Sequence, residues 1–484
     1  MRRILYFFLM LPLLGWSAEN KTLRIACFDF PGTFNPVYAT SETAQAVANK
    51  VYQSLFYFDR QGNIRPELVA AFSWDEAKLE VTLTLRKGPH FADGSEVSSR
   101  DVVATVALLK NPSFEYPYLS DLDFLENIEA MGPLSLRVKL RWKFAPWRNY
   151  LTFKILSAHD IKNVGPRDFR QHIPLGSGPY KLQTADEPWG FELGANPFAP
   201  QGLKYQRIRY TVLGEPRQAP LKLLNDEIDA VEIQGDDAKT YWKLKQWRER
   251  FQLLAYKKFG YTYLVFNLRN PAIDLNLRRI LYNRLLGSRF LADFLEGAGD
   301  TVYSPFLLFG SEKRPQAFPT TPVSGRHKFK ILTNSESELR KQLVLFICEE
   351  MKGCGIDLEP VFVEYQTFLK YMKQGNFDLA VSAFLLDMDW NMKDILAGSG
   401  YFNYAGFSDP RMDAVLEDGL KEMDAGKRRQ LYERAHVLWL ESLPLLPLFS
   451  LNYYMGVSRN VKIPEERFML IGSTGDFFYN LQGW

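Results

Sequence analysis

The sequence predicts a mixed α/β protein with more than one lobe. Apolar runs typical of buried strands alternate along the chain with segments in which apolar residues recur at helical spacing. The chain has 484 residues, whereas a single hydrophobic core stops growing at roughly 250 to 300 residues. We therefore expect at least two lobes. No internal repeat, low-complexity segment or long linker interrupts the sequence.

The strands are predicted from two apolar patterns. Residues 22–30 form an apolar run that ends at the turn PGTFNP, and residues 79–88 alternate leucine or valine with polar side chains over most of their length. Further strands are expected at 181–185, 205–213, 261–268, 327–333 and 377–385. Helical segments separate many of them, as in an α/β fold.

The helices are predicted from apolar residues spaced three and four apart. These segments are 42–59, 274–286, 336–352 and 427–442. Gly353 is expected to end the third of them.

The first twenty residues have the order of a secretory signal peptide. Two arginines precede an apolar run over residues 4–14. Small residues follow at Gly15, Ser17 and Ala18. The run is shorter than the roughly 20 apolar residues that span a bilayer, so we expect cleavage near Ser17 or Ala18 rather than anchoring. Residues 1–17 are therefore predicted to be a signal peptide, and the mature protein is expected to be periplasmic.

Composition excludes several classes of partner. The net charge is only +3, which gives no indication of nucleic acid or of an anionic membrane as a partner. The cysteines are Cys27, Cys348 and Cys354, an odd number that allows at most one internal disulfide. Whether Cys348 and Cys354 pair is left open. With five scattered histidines, the chain offers too few ligands for a metal site, and no cofactor is expected.

The stretch HFADGSEVSSR, residues 90–100, places a histidine, an aspartate and a serine close together and so raises the question of a hydrolase. The residue types in this stretch favour a structural role instead. Asp93 and Gly94 are a turn signal, and Ser98 with Asp101 fits a helix N-cap followed by an acid in the first turn. The chain contains no G-x-S-x-G motif. We interpret the stretch as a strand, a turn and a capped helix.

The region around this stretch resembles the signature of the family 5 bacterial extracellular solute-binding proteins, the dipeptide- and oligopeptide-binding group. The family pattern runs as a glycine turn, P-x-L-A, a tryptophan, a strand ending in L-R-x-G, F-x-D-G, and a helix beginning D-V. The matching residues are, in order, Gly62, Pro66, Leu68, Ala70, Trp74, Leu85, Arg86, Gly88, Phe91, Asp93, Gly94, Asp101 and Val102. Further segments resemble the family along nearly the whole chain, among them GSGPYKL at 176–182.

The resemblance implies a two-lobed α/β fold of the periplasmic-binding-protein type II, with a hinge between the lobes and an extra subdomain inserted in the first. On that analogy the inserted subdomain is 46–177 and lobe II is 263–454. Lobe I is then made of three segments, 18–45, 178–262 and 455–484.

The resemblance also implies a function without catalysis. A protein of this family captures a solute in the cleft between its lobes by hinge closure and delivers it to the permease of an ABC transporter. We expect a peptide-like solute, no nucleic-acid partner and a monomer. Within the family, the alternatives are a nickel chelate, glutathione, haem or an oligosaccharide. Outside it, the alternatives are an exported hydrolase or a peptide-holding chaperone.

The candidate ligand residues come from the same resemblance. In peptide-binding members, a G-W-x-x-D segment places its aspartate against the α-ammonium group of the ligand. Asp387 matches that aspartate, while Ala383 and Phe384 replace the glycine and tryptophan, and the proline usual soon afterwards is absent. A carboxylate in a dry cleft suits an ammonium, because a hydrogen bond to a charged group contributes roughly 1.5 to 3 kcal/mol. The alternatives are that Asp387 caps a helix, that it is solvated, or that it binds a hard cation with Asp389.

Aromatic and polar side chains near the expected cleft complete the candidate set. Most aromatic residues of a chain this size fill its core, but as a group these suggest a pocket with apolar walls and a few polar anchors. Besides Asp387, the candidates are Phe384, Trp390, Asp389, Tyr401, Asn403, Tyr38, Tyr261 and Tyr263.

Overall fold

The computed structural model describes residues 21–59, 62–199, 202–286, 290, 298–307, 316–323, 325–386, 389–463 and 477–478. The predicted signal peptide and Asp387 lie outside the described residues. Within them, strands and helices alternate, so the mixed α/β prediction is confirmed.

The described strands form one large sheet and two small ones. Their bounds are β1 (Thr22–Cys27), β2 (Phe56–Phe58), β3 (Ile64–Pro66), β4 (Val69–Asp75), β5 (Glu80–Leu85), β6 (Leu125–Gly132), β7 (Ser135–Leu140), β8 (Tyr180–Asp186), β9 (Gly190–Ala195), β10 (Arg207–Val212), β11 (Ala230–Ile233), β12 (Phe251–Lys257), β13 (Gly260–Phe266), β14 (Gly299–Thr301), β15 (His327–Asn334), β16 (Ile356–Val363), β17 (Leu379–Leu385) and β18 (Leu445–Ser458).

The helices pack against these sheets. Their bounds are α1 (Glu42–Val51), α2 (Ser99–Leu109), α3 (Ala158–Ile161), α4 (Pro166–Phe169), α5 (Ala219–Leu224), α6 (Gly235–Trp242), α7 (Lys245–Arg250), α8 (Leu275–Leu285), α9 (Glu338–Lys352), α10 (Tyr365–Gln374), α11 (Lys393–Leu396), α12 (Pro410–Lys421) and α13 (Ala425–Ser442). Short 3₁₀ turns lie at Pro112–Phe114, Leu119–Leu122, Ala145–Arg148 and Pro216–Gln218.

The large sheet runs through both halves of the molecule. Its strand order is β16-β15-β17-β13-β18-β11-β1-β10-β9-β8, and β12 and β14 also pair with β18. The first part of β18 pairs with β13, from Leu445 to Phe449, and its second part pairs with β11 and β12. One strand of 14 residues therefore belongs to both halves.

Separate apolar clusters fill the molecule. One surrounds β13, β15 and β17 and includes Leu264, Ile331 and Trp439. A second surrounds β1, β9 and β10. A third lies on the four-stranded sheet β4-β5-β7-β6, where Leu83 and Val102 are buried. The division into lobes by residue number stays a prediction.

The HFADGSEVSSR stretch has the structure that its turn and cap residues predict. Gly94 takes a φ of 90°, and the backbone N–H and hydroxyl of Ser95 both donate to Asp93, at 2.9 and 2.7 Å. The backbone N–H of Ser98 donates to the Asp101 carboxylate at 2.8 Å, immediately before α2. The aspartate and both serines are therefore engaged in local structure.

Helix α1 is shorter than its apolar spacing predicts. The spacing favours a helix over 42–59, but α1 ends at Val51 and residues 56–58 form β2. The carbonyl oxygen of Val51 accepts a hydrogen bond from the backbone N–H of Gly178 at 2.8 Å. A Cβ on Gly178 would lie 2.5 Å from the carbonyl oxygen of Lys50, so this approach requires glycine. Tertiary contact overrides the local pattern here.

The three cysteines all lie in the described part of the chain, and each is a free thiol. Cys348 is buried on α9, which ends at Lys352 and has Gly353 as its C-cap, as predicted. Among the described residues, no helix is long and apolar enough to cross a membrane.

Gly260 holds β13 close to β17. A Cβ at this position would lie 2.0 Å from the carbonyl oxygen of Phe384. We expect Gly260→Ala to force the two strands apart and to cost about 1 to 3 kcal/mol of stability, as overpacking does. Gly353→Ala is the matched control, because nothing lies within 4 Å of a Cβ there. Thermal unfolding followed by circular dichroism measures both variants, and equal midpoints would contradict the close approach.

Candidate functional site

The candidate site lies at one edge of the large sheet, where several strands end together. Strands β15 and β17 are parallel and end at Asn334 and Leu385, while antiparallel β13 begins at Gly260 beside Leu385. In open α/β sheets, ligands bind in the crevice outside the carboxyl ends of the strands. The edge also adjoins β18, which reaches into both halves of the molecule.

Three of the predicted ligand residues meet at this edge. The rings of Tyr263 and Phe384 are stacked, with centroids 4.1 Å apart and planes 8° apart. Tyr261 meets both rings edge to face, with centroids 6.3 Å away. The register explains the cluster, because Tyr261 pairs with Phe384 and Tyr263 pairs with Ser382, which places all four side chains on one face. The two tyrosines are buried and Phe384 is half-buried.

The same edge carries buried polar atoms that lack partners among the described residues. They are the hydroxyls of Tyr261 and Tyr263, Oδ1 of Asn334 and Nε of Arg340. Ser382 lies beside the Tyr263 hydroxyl without a hydrogen bond of adequate geometry. Burial raises the pKa of both tyrosine hydroxyls, so they remain neutral donors. An unpaired buried polar group costs roughly 1 to 3 kcal/mol, so these atoms offer bonding capacity to a solute at this edge. Unpaired buried atoms also occur elsewhere, as at Gln53 and Trp247.

Asp389 lies in a buried ion pair. Its Oδ1 accepts from Arg428 at 2.5 Å and from the backbone N–H of Asn391 at 2.9 Å, and its Oδ2 accepts from Asn149 at 3.2 Å. Only 3% of the carboxylate side chain and 13% of the arginine side chain are exposed. Asp389 therefore joins its own segment to α13 and to the loop after β7. Its assignment as a ligand contact stays a prediction.

Trp390 lies on the other side of the same arginine. The guanidinium of Arg428 is 5.7 Å from the Trp390 ring centroid and 5.2 Å from that of Tyr432. Arg428 also donates to the carbonyl oxygen of Gly419 at 2.8 Å. Stacking and hydrogen bonds thus hold the arginine in place for Asp389.

Tyr401 and Asn403 line a separate pocket of about 490 Å³ between α10 and the loop that follows α11. Asn403 fixes that loop, since its Nδ2 donates to the carbonyl oxygens of Ala397 and Phe407 at 3.0 and 2.7 Å. Tyr401 is 66% exposed and accepts a hydrogen bond from Lys373 at 3.1 Å. The pocket adjoins the strand-end edge through Phe402, whose ring centroid is 6.4 Å from that of Phe384.

Tyr38 lies apart from the other candidates. Its hydroxyl donates to the carbonyl oxygen of Phe114 at 2.7 Å, and the guanidinium of Arg170 lies 5.0 Å from its ring centroid. It lines a pocket of about 340 Å³ with Ser41, the N-cap of α1. The structure therefore does not place it with Tyr261, Tyr263 and Phe384.

Sequence reasoning missed Arg340, Asn334 and Ser382. Asn334 and Ser382 are ordinary polar residues in predicted strands, and Arg340 is one charge on a predicted helix. The local signal was position: Asn334 ends β15, Arg340 lies in the first turn of the helix that follows, and Ser382 is two residues before Phe384 on β17. Among the described residues, no group of three or more histidine, cysteine, aspartate or glutamate side chains is arranged to hold a metal ion.

Comparison with known proteins finds a family match over part of the chain. The model of the bacterial extracellular solute-binding proteins, family 5 Middle, matches residues 63–282. The matched segment is less than half of the chain. The resemblance drawn from the sequence is thereby confirmed. The oligopeptide-binding protein AppA of Bacillus subtilis is 22% identical over 489 residues, covering 93% of this chain and 89% of AppA.

Two further comparisons agree with the family 5 assignment. The glutathione-binding protein GsiB of Salmonella paratyphi A is 24% identical over 467 residues, covering 89% of each chain. The structure of HbpA2 from Haemophilus parasuis superposes with a TM-score of 0.81 at 16% identity, covering 91% of this chain and 96% of that one. The chain therefore has the two-lobed α/β fold of these proteins.

The ion pair of Asp389 with Arg428 is expected to be structural. Asp389→Asn would leave Arg428 buried without its counter-charge, which typically costs about 3 to 5 kcal/mol. Urea unfolding followed by tryptophan fluorescence measures the loss. Glu417→Gln is the control, because its pair with Lys393 is about 40% exposed and should contribute at most about 1 kcal/mol. Equal losses in the two variants would contradict the structural role.

Proposed function

We propose that this chain is an exported binding protein that captures a peptide-like solute between its lobes and delivers it to an ABC transporter. The observation that carries the proposal is the strand-end edge, where an aromatic wall of Tyr261, Tyr263 and Phe384 lies beside buried polar atoms without partners. Ligand clefts combine apolar walls with a few polar anchors in this way.

The relatives support a peptide-like solute. AppA of Bacillus subtilis is named as oligopeptide-binding and was solved with a nonapeptide. GsiB is named as glutathione-binding, and MppA as a murein tripeptide-binding protein. Glutathione and murein tripeptide are themselves peptide-like. NikZ of Campylobacter jejuni, solved with Ni(L-His), keeps a metal chelate as the alternative within the family.

Capture by closure follows from the way the halves are joined. Contacts with both lobes exist together only in the closed form, so a ligand that makes them shifts the population toward closure. We propose the predicted lobe boundaries, with the inserted subdomain at 46–177. In the present conformation, Asn149 of that subdomain donates to Asp389 of the predicted lobe II. This hydrogen bond joins the proposed inserted subdomain to the proposed lobe II. Hinge motion between them would either keep it intact or break it.

No catalytic step is proposed. Ser304 and His436 are hydrogen-bonded at 2.9 Å, the arrangement that a hydrolase would use. Ser304 is fully buried, however, and its hydroxyl accepts a further bond from the backbone N–H of Phe306 at 3.1 Å. A substrate carbonyl has no access to it. Incubation of the purified chain with a fluorogenic peptide, without a transporter, should give no turnover.

The proposed function includes three further expectations. Residues 1–17 act as a cleaved signal peptide, the mature chain works in the periplasm as a monomer, and the solute leaves through the permease of an ABC transporter. The apolar run of the leader and the family match at residues 63–282 support this set.

Asp387 is proposed to hold the free amino terminus of the solute. Asp387→Asn should weaken binding of a peptide pool about 10- to 100-fold, because a hydrogen bond to a charged group contributes roughly 1.5 to 3 kcal/mol. N-acetylation of the peptides should have the same effect on the unchanged chain. Isothermal titration calorimetry measures both.

The control for Asp387 is Asp394→Asn, which removes the same charge from an exposed position on α11. It should bind the pool unchanged. Equal affinity for free and acetylated peptides would rule out the ammonium role, even if binding itself is confirmed.

A further inference from the structure

The proposed inserted subdomain and the proposed lobe II are in contact away from the strand-end edge. Nδ2 of Asn149 donates to Oδ2 of Asp389 at 3.2 Å, across 240 residues of the chain. The 3₁₀ turn Ala145–Arg148 contacts α12. Met423, which lies between α12 and α13, packs against the apolar cluster of the four-stranded sheet. A polar contact and an apolar contact therefore join the two parts. We call Asn149, Asp389 and Met423 the latch.

The hydrogen bond of the latch is one that can break without leaving a buried charge unpaired. Asp389 keeps its ion pair with Arg428 and its bond from the backbone N–H of Asn391, and both of these partners belong to the proposed lobe II. On the other side, the backbone N–H of Asn149 donates to the carbonyl oxygen of Pro146 at 2.8 Å, so the loop keeps its own structure. Breaking a buried ion pair is costly, and separation of the latch does not require it.

Arg148, the neighbour of Asn149, opposes the contact. Its guanidinium lies 5.5 Å from the ring centroid of Phe72, within the proposed inserted subdomain. Burial and then the positive charge of Arg428 lower the pKa of Arg148. Two like charges thus lie on opposite sides of the same junction, where they repel each other. The junction combines an attractive and a repulsive interaction at adjacent positions of the chain.

The chain path makes this junction sensitive to hinge motion. On the proposed boundaries, the chain enters the inserted subdomain from lobe I at residue 46 and returns to lobe I at residue 178. It never passes directly from the subdomain to lobe II, so only noncovalent contacts join them. Contacts of this kind can be present in one arrangement of the lobes and absent in another, and they then shift the population toward the first.

We propose that the latch forms when the lobes close and that it raises the affinity for the solute by stabilising the closed form. Asn149 is a positioning residue in this proposal, because it acts through lobe II and not through the solute. In the solute-free chain the open form predominates and the latch is apart. The proposal rests on the proposed function and on its lobe boundaries.

Thermal unfolding of the full mature chain, with and without solute, tests the latch. The chain is first freed of bound solute by unfolding and refolding, and a tryptic digest of casein is the probe. Asn149→Ala should leave the midpoint of the solute-free chain unchanged, because the latch is apart there. It should need about 3- to 10-fold more digest for the same rise in midpoint, because the closed form loses a hydrogen bond to a charged group.

Arg148→Gln should have the opposite effect. It removes the repulsion that closure brings, so about 2- to 3-fold less digest should give the same rise, and the difference should shrink at high salt. A general disturbance of the turn would shift both variants in the same direction. Opposite shifts at adjacent residues therefore indicate the latch.

Asn127→Ala is the matched control. It removes a hydrogen bond from an asparagine amide to the carboxylate of Glu129, at 2.9 Å, within the proposed inserted subdomain. It should need as much digest as the unchanged chain. Met423→Ala removes the apolar side of the latch and should shift the response in the same direction as Asn149→Ala, so the test does not depend on a single variant.

The outcomes separate the latch from the proposed function. If the digest stabilises the unchanged chain and Asn149→Ala equally, the latch is overturned while solute capture is upheld. If Asn149→Ala and Met423→Ala lower the midpoint of the solute-free chain as much as that of the loaded chain, the contact is a fixed part of the fold and the latch is again overturned.

A second probe covers the alternative solute class. If the digest does not stabilise the unchanged chain, Ni(L-His), the ligand of NikZ, replaces it and the same comparisons apply. If neither probe raises the midpoint of the unchanged chain, solute does not close the lobes, and both proposals are overturned.

Discussion

The structure depends on one shared strand. β18 contributes its first residues to the sheet around β13 and its last residues to the sheet around β11 and β12. Each backbone group of a strand must find a partner, so the two halves cannot separate without breaking this ladder. Relative motion of the lobes is therefore confined to bending of the strands that connect them. The strand-end edge lies beside this connection, because β13 pairs with β18 at Thr262 and Phe449.

The same edge contains buried polar atoms that folding leaves without hydrogen-bond partners. Away from this edge, the buried carboxylate of Asp389 is neutralised by its pair with Arg428. At the edge, the hydroxyl of Tyr261 and Oδ1 of Asn334 remain unpaired while aromatic rings pack tightly around them. The aromatic rings and the unpaired polar atoms thus have different roles at this edge. The rings fix the shape of the wall, whereas the unpaired atoms retain bonding capacity that a solute can use, at a cost in stability to the empty protein.

Local patterns predicted most of the framework. The alternation of apolar residues located β13, β15 and β17 to within two residues, and Gly353 marked the end of α9. Tyr261, Tyr263 and Phe384 were selected through the resemblance to the family, and they meet in space. Features that depend on contacts with residues distant in the sequence were not predicted. α1 ends early because Gly178 approaches Val51, and Asp389 is engaged by Asn149, which lies 240 residues away in the chain. Arg340 could not be selected either, because sequence cannot show that a charge lacks a partner.

The contacts of Asp389 are relevant to Asp387, the ammonium ligand predicted from the sequence. On one side of residues 387–388, the backbone N–H of Leu386 donates to the carbonyl oxygen of Phe259 at 2.8 Å. On the other side, Asp389 is held by Arg428 and Asn149. The chain is thus fixed immediately before and after the proposed ammonium contact. In general, fixing the flanks of a binding segment reduces the conformational entropy lost on binding, so an ion pair that fixes a flank can contribute to affinity. If Asp387 has its proposed role, Asp389 would act as a positioning residue for it.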